Sequence, residues 1–104
     1  MNREKLLLEI KNRLINIYGE RFKGLVLYGS EAKNEAKLDS DIDILVLLTG
    51  PVSRLEEHRI IMSKIYDLVL DLERPIHVKP VDIAIYDTKG YPLYQSAKSE
   101  GIMV

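Results

Sequence analysis

Apolar residues recur at three- and four-residue intervals at the start of the chain: Leu6, Leu7, Ile10, Leu14, Ile17 and Tyr18. That spacing predicts a helix over 3–18 with one apolar face. Asn2 is placed to cap its start and Gly19 to end it. The pattern then becomes continuous. Gly24-Leu25-Val26-Leu27-Tyr28, within 23–29, reads as a short buried strand. A short helix over 30–36 and a polar turn over 37–40 follow.

From Asp41 the chain alternates and then turns wholly apolar: Asp41-Ile42-Asp43-Ile44-Leu45-Val46-Leu47-Leu48. This predicts a central strand with two carboxylates at its start. Thr49-Gly50-Pro51 breaks it. Ser53 and Glu56 form a capping-box pattern ahead of a long helix over 53–73, which Arg74-Pro75 ends. Its apolar positions are Leu55, Ile61, Ile65, Leu68 and Leu72. A third strand is expected over 81–86, with Asp82 inside it. Gly90-Tyr91-Pro92 reads as a turn, and 92–100 as a last helix stopped by Gly101. The order predicts a mixed α+β fold, a layered sheet with flanking helices.

A chain of 104 residues argues for one domain over 1–104. Apolar residues at 46% and charged residues at 30% fit a globular protein. With no cysteines, disulfides and thiolate-bound zinc are excluded, which suits a reducing cytoplasm. No apolar stretch approaches the roughly 20 residues of a membrane span, and no signal peptide is expected. Net charge is −1 with no basic stripe, so direct nucleic-acid binding is not expected.

Candidate chemistry lies where the strands meet their turns. In a strand, residues i and i+2 share a face, so Asp41 and Asp43 project together, their Cα atoms about 6.6 Å apart. Such a pair can hold metal ions, and magnesium prefers oxygen ligands supplied by few carboxylates plus substrate phosphates. Asp82 is a candidate third carboxylate if its strand lies beside 41–48, because an acid among apolar strand neighbours is costly to bury without a partner. Gly29-Ser30 sits where a strand turns into a helix. Glycine permits close backbone approach, and a helix start offers unpaired N–H groups to phosphate. Each feature alone has a plainer structural reading: a turn, a solvated strand edge, a half-exposed acid.

Together, Leu27-Tyr28-Gly29-Ser30-Glu31-Ala32-Lys33 and Leu38-Asp39-Ser40-Asp41-Ile42-Asp43-Ile44-Leu45-Val46 resemble the signature of the DNA polymerase beta nucleotidyltransferase superfamily. The small size is similar to its minimal nucleotidyltransferases. Val81-Asp82-Ile83-Ala84 resembles the third-carboxylate strand, and Ser99-Glu100-Gly101-Ile102 the C-terminal end. The resemblance implies a polymerase-beta palm-like fold and two magnesium ions held by Asp41, Asp43 and Asp82. It implies that Gly29 and Ser30, with Lys33, hold the phosphates of ATP. An acceptor hydroxyl would attack the α-phosphate and release pyrophosphate. It further implies a HEPN-family ribonuclease toxin as partner, with AMP transferred to a toxin tyrosine and the protein acting as antitoxin.

The chain departs from the family pattern at Glu31-Ala32-Lys33-Asn34, where Gly-Ser is often followed by arginines. Lys33 can replace an arginine as a point charge but not as a bidentate fork. Two other readings remain: a module that neutralises its partner by contact alone, and a transferase for a small molecule such as an antibiotic. His58 reads as a surface histidine on the long helix. His77 reads as part of a solvated loop between Pro75 and Pro80, and Tyr28 as packing.

Overall fold

The computed structural model describes residues 2–29, 41–88 and 90–104. The expectations for 30–40, including the short helix and the roles of Ser30 and Lys33, lie outside the described residues.

Helix α1 (Arg3–Tyr18) begins where Asn2 accepts the Lys5 N–H at 2.8 Å and ends at Gly19, φ 56°. Its apolar stripe buries Leu6, Leu7, Ile10 and Leu14. After one 3₁₀ turn, strand β1 (Phe22–Tyr28) runs antiparallel to β2 (Ile42–Leu48). Helix α2 (Arg54–Leu72) then crosses back to β3 (Ile76–Asp82), which pairs with β2 in parallel, as a helical crossover permits. A single helical turn α3 (Ile83–Tyr86), helix α4 (Pro92–Glu100) and a two-residue strand β4 (Ile102–Met103) complete the chain. The sheet order is β3-β2-β1-β4.

Strand alternation divides the sheet into two faces. Leu25, Leu27, Ile42, Ile44, Val46, Leu48, Ile76 and Val78 face α1 and α2 and form the larger core with Ile10, Leu14, Ile61 and Ile65. Val26, Leu45, Leu47 and Val81 take the other face and pack with Tyr86 and Ala97. Because β2 is covered on both faces, its sequence is nearly continuously apolar. Asp43 belongs to the second face, beyond the end of that smaller cluster. The expected mixed α/β layering is therefore the observed fold.

Four expectations need correction. The third strand was expected over 81–86, but β3 occupies 76–82, and 83–86 forms a helical turn. Its start is set by Asp82, whose Oδ1 accepts the Ala84 N–H at 2.9 Å, an N-cap bond. Ser53 does precede α2, but its side chain makes no capping hydrogen bond. Leu55 is not core: it is 74% exposed. The buried stripe of α2 is Glu57, Ile61, Ile65 and Leu68, and Leu55 lies about 200° around the helix from Glu57. His77 lies within β3, not in a loop.

The buried Glu57 is matched by partners. Arg21 Nη2 donates to its Oε2 at 2.9 Å and the Tyr18 hydroxyl to its Oε1 at 3.2 Å. This trio ties the end of α1 to the start of α2. Burial, with the Glu57 carboxylate second, pushes the Tyr18 phenol up to about 12.

Candidate active site

One end of the sheet collects the chemistry. The antiparallel register places Tyr28 opposite Asp43, so the turn after β1 lies beside the start of β2. Gly29 has φ 76°, a conformation that glycine adopts without steric cost. A Cβ at this position would lie 2.9 Å from Asp43 Oδ2. Position 29 thus needs glycine for its backbone angle and for the space Asp43 occupies.

On the opposite side of β2, the parallel register pairs Asp43 with His77. His77 Nε2 lies 2.7 Å from Asp41 Oδ2. A carboxylate only accepts, so Nε2 carries the proton and donates. Both side chains are substantially exposed, His77 at 60% and Asp41 at 50%. Asp43 is more enclosed. Burial raises its pKa above the usual carboxylate range; His77 pulls it down and the Asp41 charge pushes it up. Burial, then Asp43, also raises the Tyr28 phenol. A cavity of about 240 Å³ opens beside this end, lined by Tyr28, Gly29, Leu93, Ser96, Ala97, Glu100 and Gly101.

Asp41, Asp43 and Gly29 are therefore brought together. Asp82 is not. Its strand does lie beside β2, but in a register that pairs Asp82 with Leu48. That is five residues along β2 from Asp43, about 16 Å at strand rise. The Asp82 carboxylate instead packs against Gly50, where a Cβ would collide with it. The residue at the corresponding end of β3 is His77. Parity within 76–82 could have shown this, since His77 and Asp43 share a face once β3 begins at Ile76.

The donor set fits a hard divalent cation held partly by its substrate. Two carboxylates stand at one strand end, near enough for the Asp41 charge to act on Asp43, and among the described residues no group of three or more metal-binding side chains occurs. Magnesium accepts that arrangement, since it commonly takes one or two carboxylates with the rest of its shell from phosphates and water. A glycine turn against a carboxylate that can hold such a cation suits phosphoryl chemistry, in which bound metal ions clamp the reacting oxygens.

Residues 7–103 match the family described as nucleotidyltransferase domain, and the chain belongs to that family. It is similar to the "Putative protein adenylyltransferase MJ0604" of Methanocaldococcus jannaschii, 43% identical over 47 residues. That match covers 45% of this chain and 47% of the relative, about half of either. The fold is shared with a crystal structure of a toxin-antitoxin with AMP-PNP, at TM-score 0.62 and 14% identity, over 98% of this chain and 72% of that one. It is shared too with a mutant of the toxin-antitoxin MntA-HpeT, at TM-score 0.61 and 14% identity, over 100% of this chain and 72% of that one. Among the described residues, no helix is long and apolar enough to cross a membrane.

Proposed function

We propose that this domain is a magnesium-dependent protein adenylyltransferase that moves AMP from ATP to a tyrosine hydroxyl of a cognate HEPN-family toxin and thereby acts as its antitoxin. The observation that carries the chemistry is the contact of the Gly29 turn with Asp43, while Asp41, two residues earlier, is held by His77. The relative's name supports a protein acceptor, and the solved neighbours support a toxin partner.

In this reading the Gly29 turn, with Ser30 and Lys33 beyond it, holds the β- and γ-phosphates. Asp41 and Asp43 hold two magnesium ions, which when bound neutralise charge developing on the transferred phosphoryl group. His77 keeps the Asp41 carboxylate oriented through its Nε2–H. The acceptor oxygen forms the new bond to the α-phosphorus, pyrophosphate leaves, and the hydroxyl proton passes to a carboxylate at the site or to water. Asp82 is assigned no part in this chemistry, because its register keeps it at the far end of β3.

The test is incubation with α-labelled ATP, magnesium and the product of the neighbouring gene. Label should appear on that protein and vanish with Asp41→Asn or Asp43→Asn. Retained transfer in either variant would overturn the site assignment.

A second reading, neutralisation by contact alone, draws on the register of β3, which leaves Asp41 and Asp43 without Asp82 at this end of the sheet. It is favoured if the Asp41→Asn/Asp43→Asn double variant still protects cells from the partner.

A further inference from the structure

In-line displacement puts the attacking oxygen opposite the leaving one. If the β- and γ-phosphates sit on the Gly29 side of Asp43, the acceptor arrives from the other side, over β3. This rests on the proposed nucleotidyl transfer. The surface there has a distinctive charge pattern. Among the described residues, β3 is the sheet edge, hydrogen-bonded only to β2. A groove of about 320 Å³ runs along it, lined by Arg54, Leu55, His58, Val78, Lys79 and Pro80.

Lys79 pairs with Leu45, one same-face step along from the Asp43–His77 pair, or about 6.6 Å. Its ammonium lies 5.6 Å from the centre of the Tyr94 ring. Burial lowers its pKa, and the Arg54 charge lowers it further. No ion pair joins Arg54, His58 or Lys79 to a carboxylate among the described residues. Two of the nearby acids have other partners. Glu57 is buried against Arg21 and Tyr18. Asp82, which shares a neighbouring cavity with Arg54, caps Ala84. Two cations and a histidine thus line one groove, with no carboxylate paired to them among the described residues, in a chain whose net charge is −1.

We propose that this groove docks the acceptor protein through an acidic segment flanking the acceptor hydroxyl. An anion there would relieve the Arg54–Lys79 repulsion and guide the acceptor past His77 towards Asp43. Exposed Leu55 beside the cations offers an apolar contact suited to a peptide. A nucleic acid is disfavoured, since a phosphate backbone asks for a longer basic track.

The test uses fluorescence anisotropy on the full chain, without ATP. The probes are fluorescein-labelled Glu-Glu-Tyr-Glu-Glu, Ser-Ser-Tyr-Ser-Ser and a uridine decamer. The acidic peptide should bind at least about tenfold more tightly than the serine peptide at low salt, and salt should weaken it. Arg54→Glu/Lys79→Glu should abolish that preference while leaving ATP binding intact. If the double variant is unfolded by circular dichroism, Arg54→Gln and Lys79→Gln are read singly. Equal binding of both peptides, tighter binding of the decamer, or a preference unchanged in the folded variants would overturn the proposal. Because the assay needs no catalysis, a failure of AMP transfer would count against the enzymatic reading alone.

Discussion

Gly29 and Asp43 are packed against one another: the carboxylate oxygen Oδ2 lies 2.9 Å from where a Cβ on residue 29 would sit. The strand turn and the acid are therefore a single fitted unit. Gly29→Ala adds a Cβ at 2.9 Å from that oxygen, on a backbone with φ 76°. It should destabilise the fold by about 1–2 kcal/mol and lower nucleotidyl transfer by at least about tenfold. Urea denaturation and the labelled-ATP assay measure the two effects separately.

Asp43 is held in a setting that favours its neutral form, chiefly through burial. A carboxylic acid with a raised native pKa takes up protons more readily folded than unfolded. Stability of the metal-free protein should therefore fall as pH rises from the unfolded value near 3.8 through the raised native value. Asp43→Asn should remove that slope and raise the melting temperature at neutral pH in EDTA, while abolishing transfer. A melting temperature below that of the unmodified protein would contradict this account. The opposed effects are those expected where a site is built at the expense of stability.

His77 holds Asp41 from behind, at 2.7 Å. Partners that orient a metal-binding side chain typically contribute about 10–100-fold to metal affinity or activity. His77→Ala should therefore raise the half-saturating magnesium concentration by about tenfold or more, and His77→Gln, which retains an N–H donor, should recover part of that loss. A magnesium titration of transfer rate, with the melting temperature as a control for folding, distinguishes orientation from general damage.

Asp82→Asn should leave transfer close to that of the unmodified protein. Its oxygen caps α3, so the expected cost of Asp82→Ala is about 1 kcal/mol of stability. Thermal melts and the labelled-ATP assay check both statements. Loss of transfer in folded Asp82→Asn would overturn its exclusion from the chemistry.

The elements with long, regular patterns were legible in the sequence: α1 from Leu6 to Leu14, α2 from Ile61 to Leu68, and β2 from its apolar run. So was the shared face of Asp41 and Asp43, which follows from strand geometry alone. The third strand was not, for a definite reason. Pro75 and Pro80 bracket Ile76-His77-Val78-Lys79, and prolines normally interrupt a sheet. On an edge strand a missing N–H can face away from the ladder, and β3 is such an edge. The apolar alternation around Asp82 then imitated a strand, although the Asp82 side chain starts a helical turn. That displacement carried Asp82 into the predicted site and left His77 out of it. Strand β4 has two residues, too few to show any period.

The Tyr18–Glu57–Arg21 trio supplies an alkaline signature. The unfolded phenol ionises near 10.0 and the folded one near 12, so ionisation is resisted only in the folded chain. The resulting stability is fully present below pH 10 and is lost as pH rises towards about 12. Tyr18→Phe should flatten that part of the stability profile, as followed by urea midpoints across the same pH range.

The cavity beside Gly29 takes its walls from distant parts of the chain, with Tyr28 and Gly29 from the first strand and Leu93 to Gly101 from the last helix and its exit. Immediately after that exit, Ile102 and Met103 zip onto Leu27 and Val26. Any molecule that fills the cavity can bind only a chain whose last segment is already docked. Occupancy and closure of that sheet border are therefore thermodynamically linked: ligand at one hundred times its dissociation constant would add about 2.7 kcal/mol to the docked form. The amide of Val104, bonded to the Leu25 carbonyl at 2.8 Å, would then exchange with solvent more slowly whenever the cavity is full.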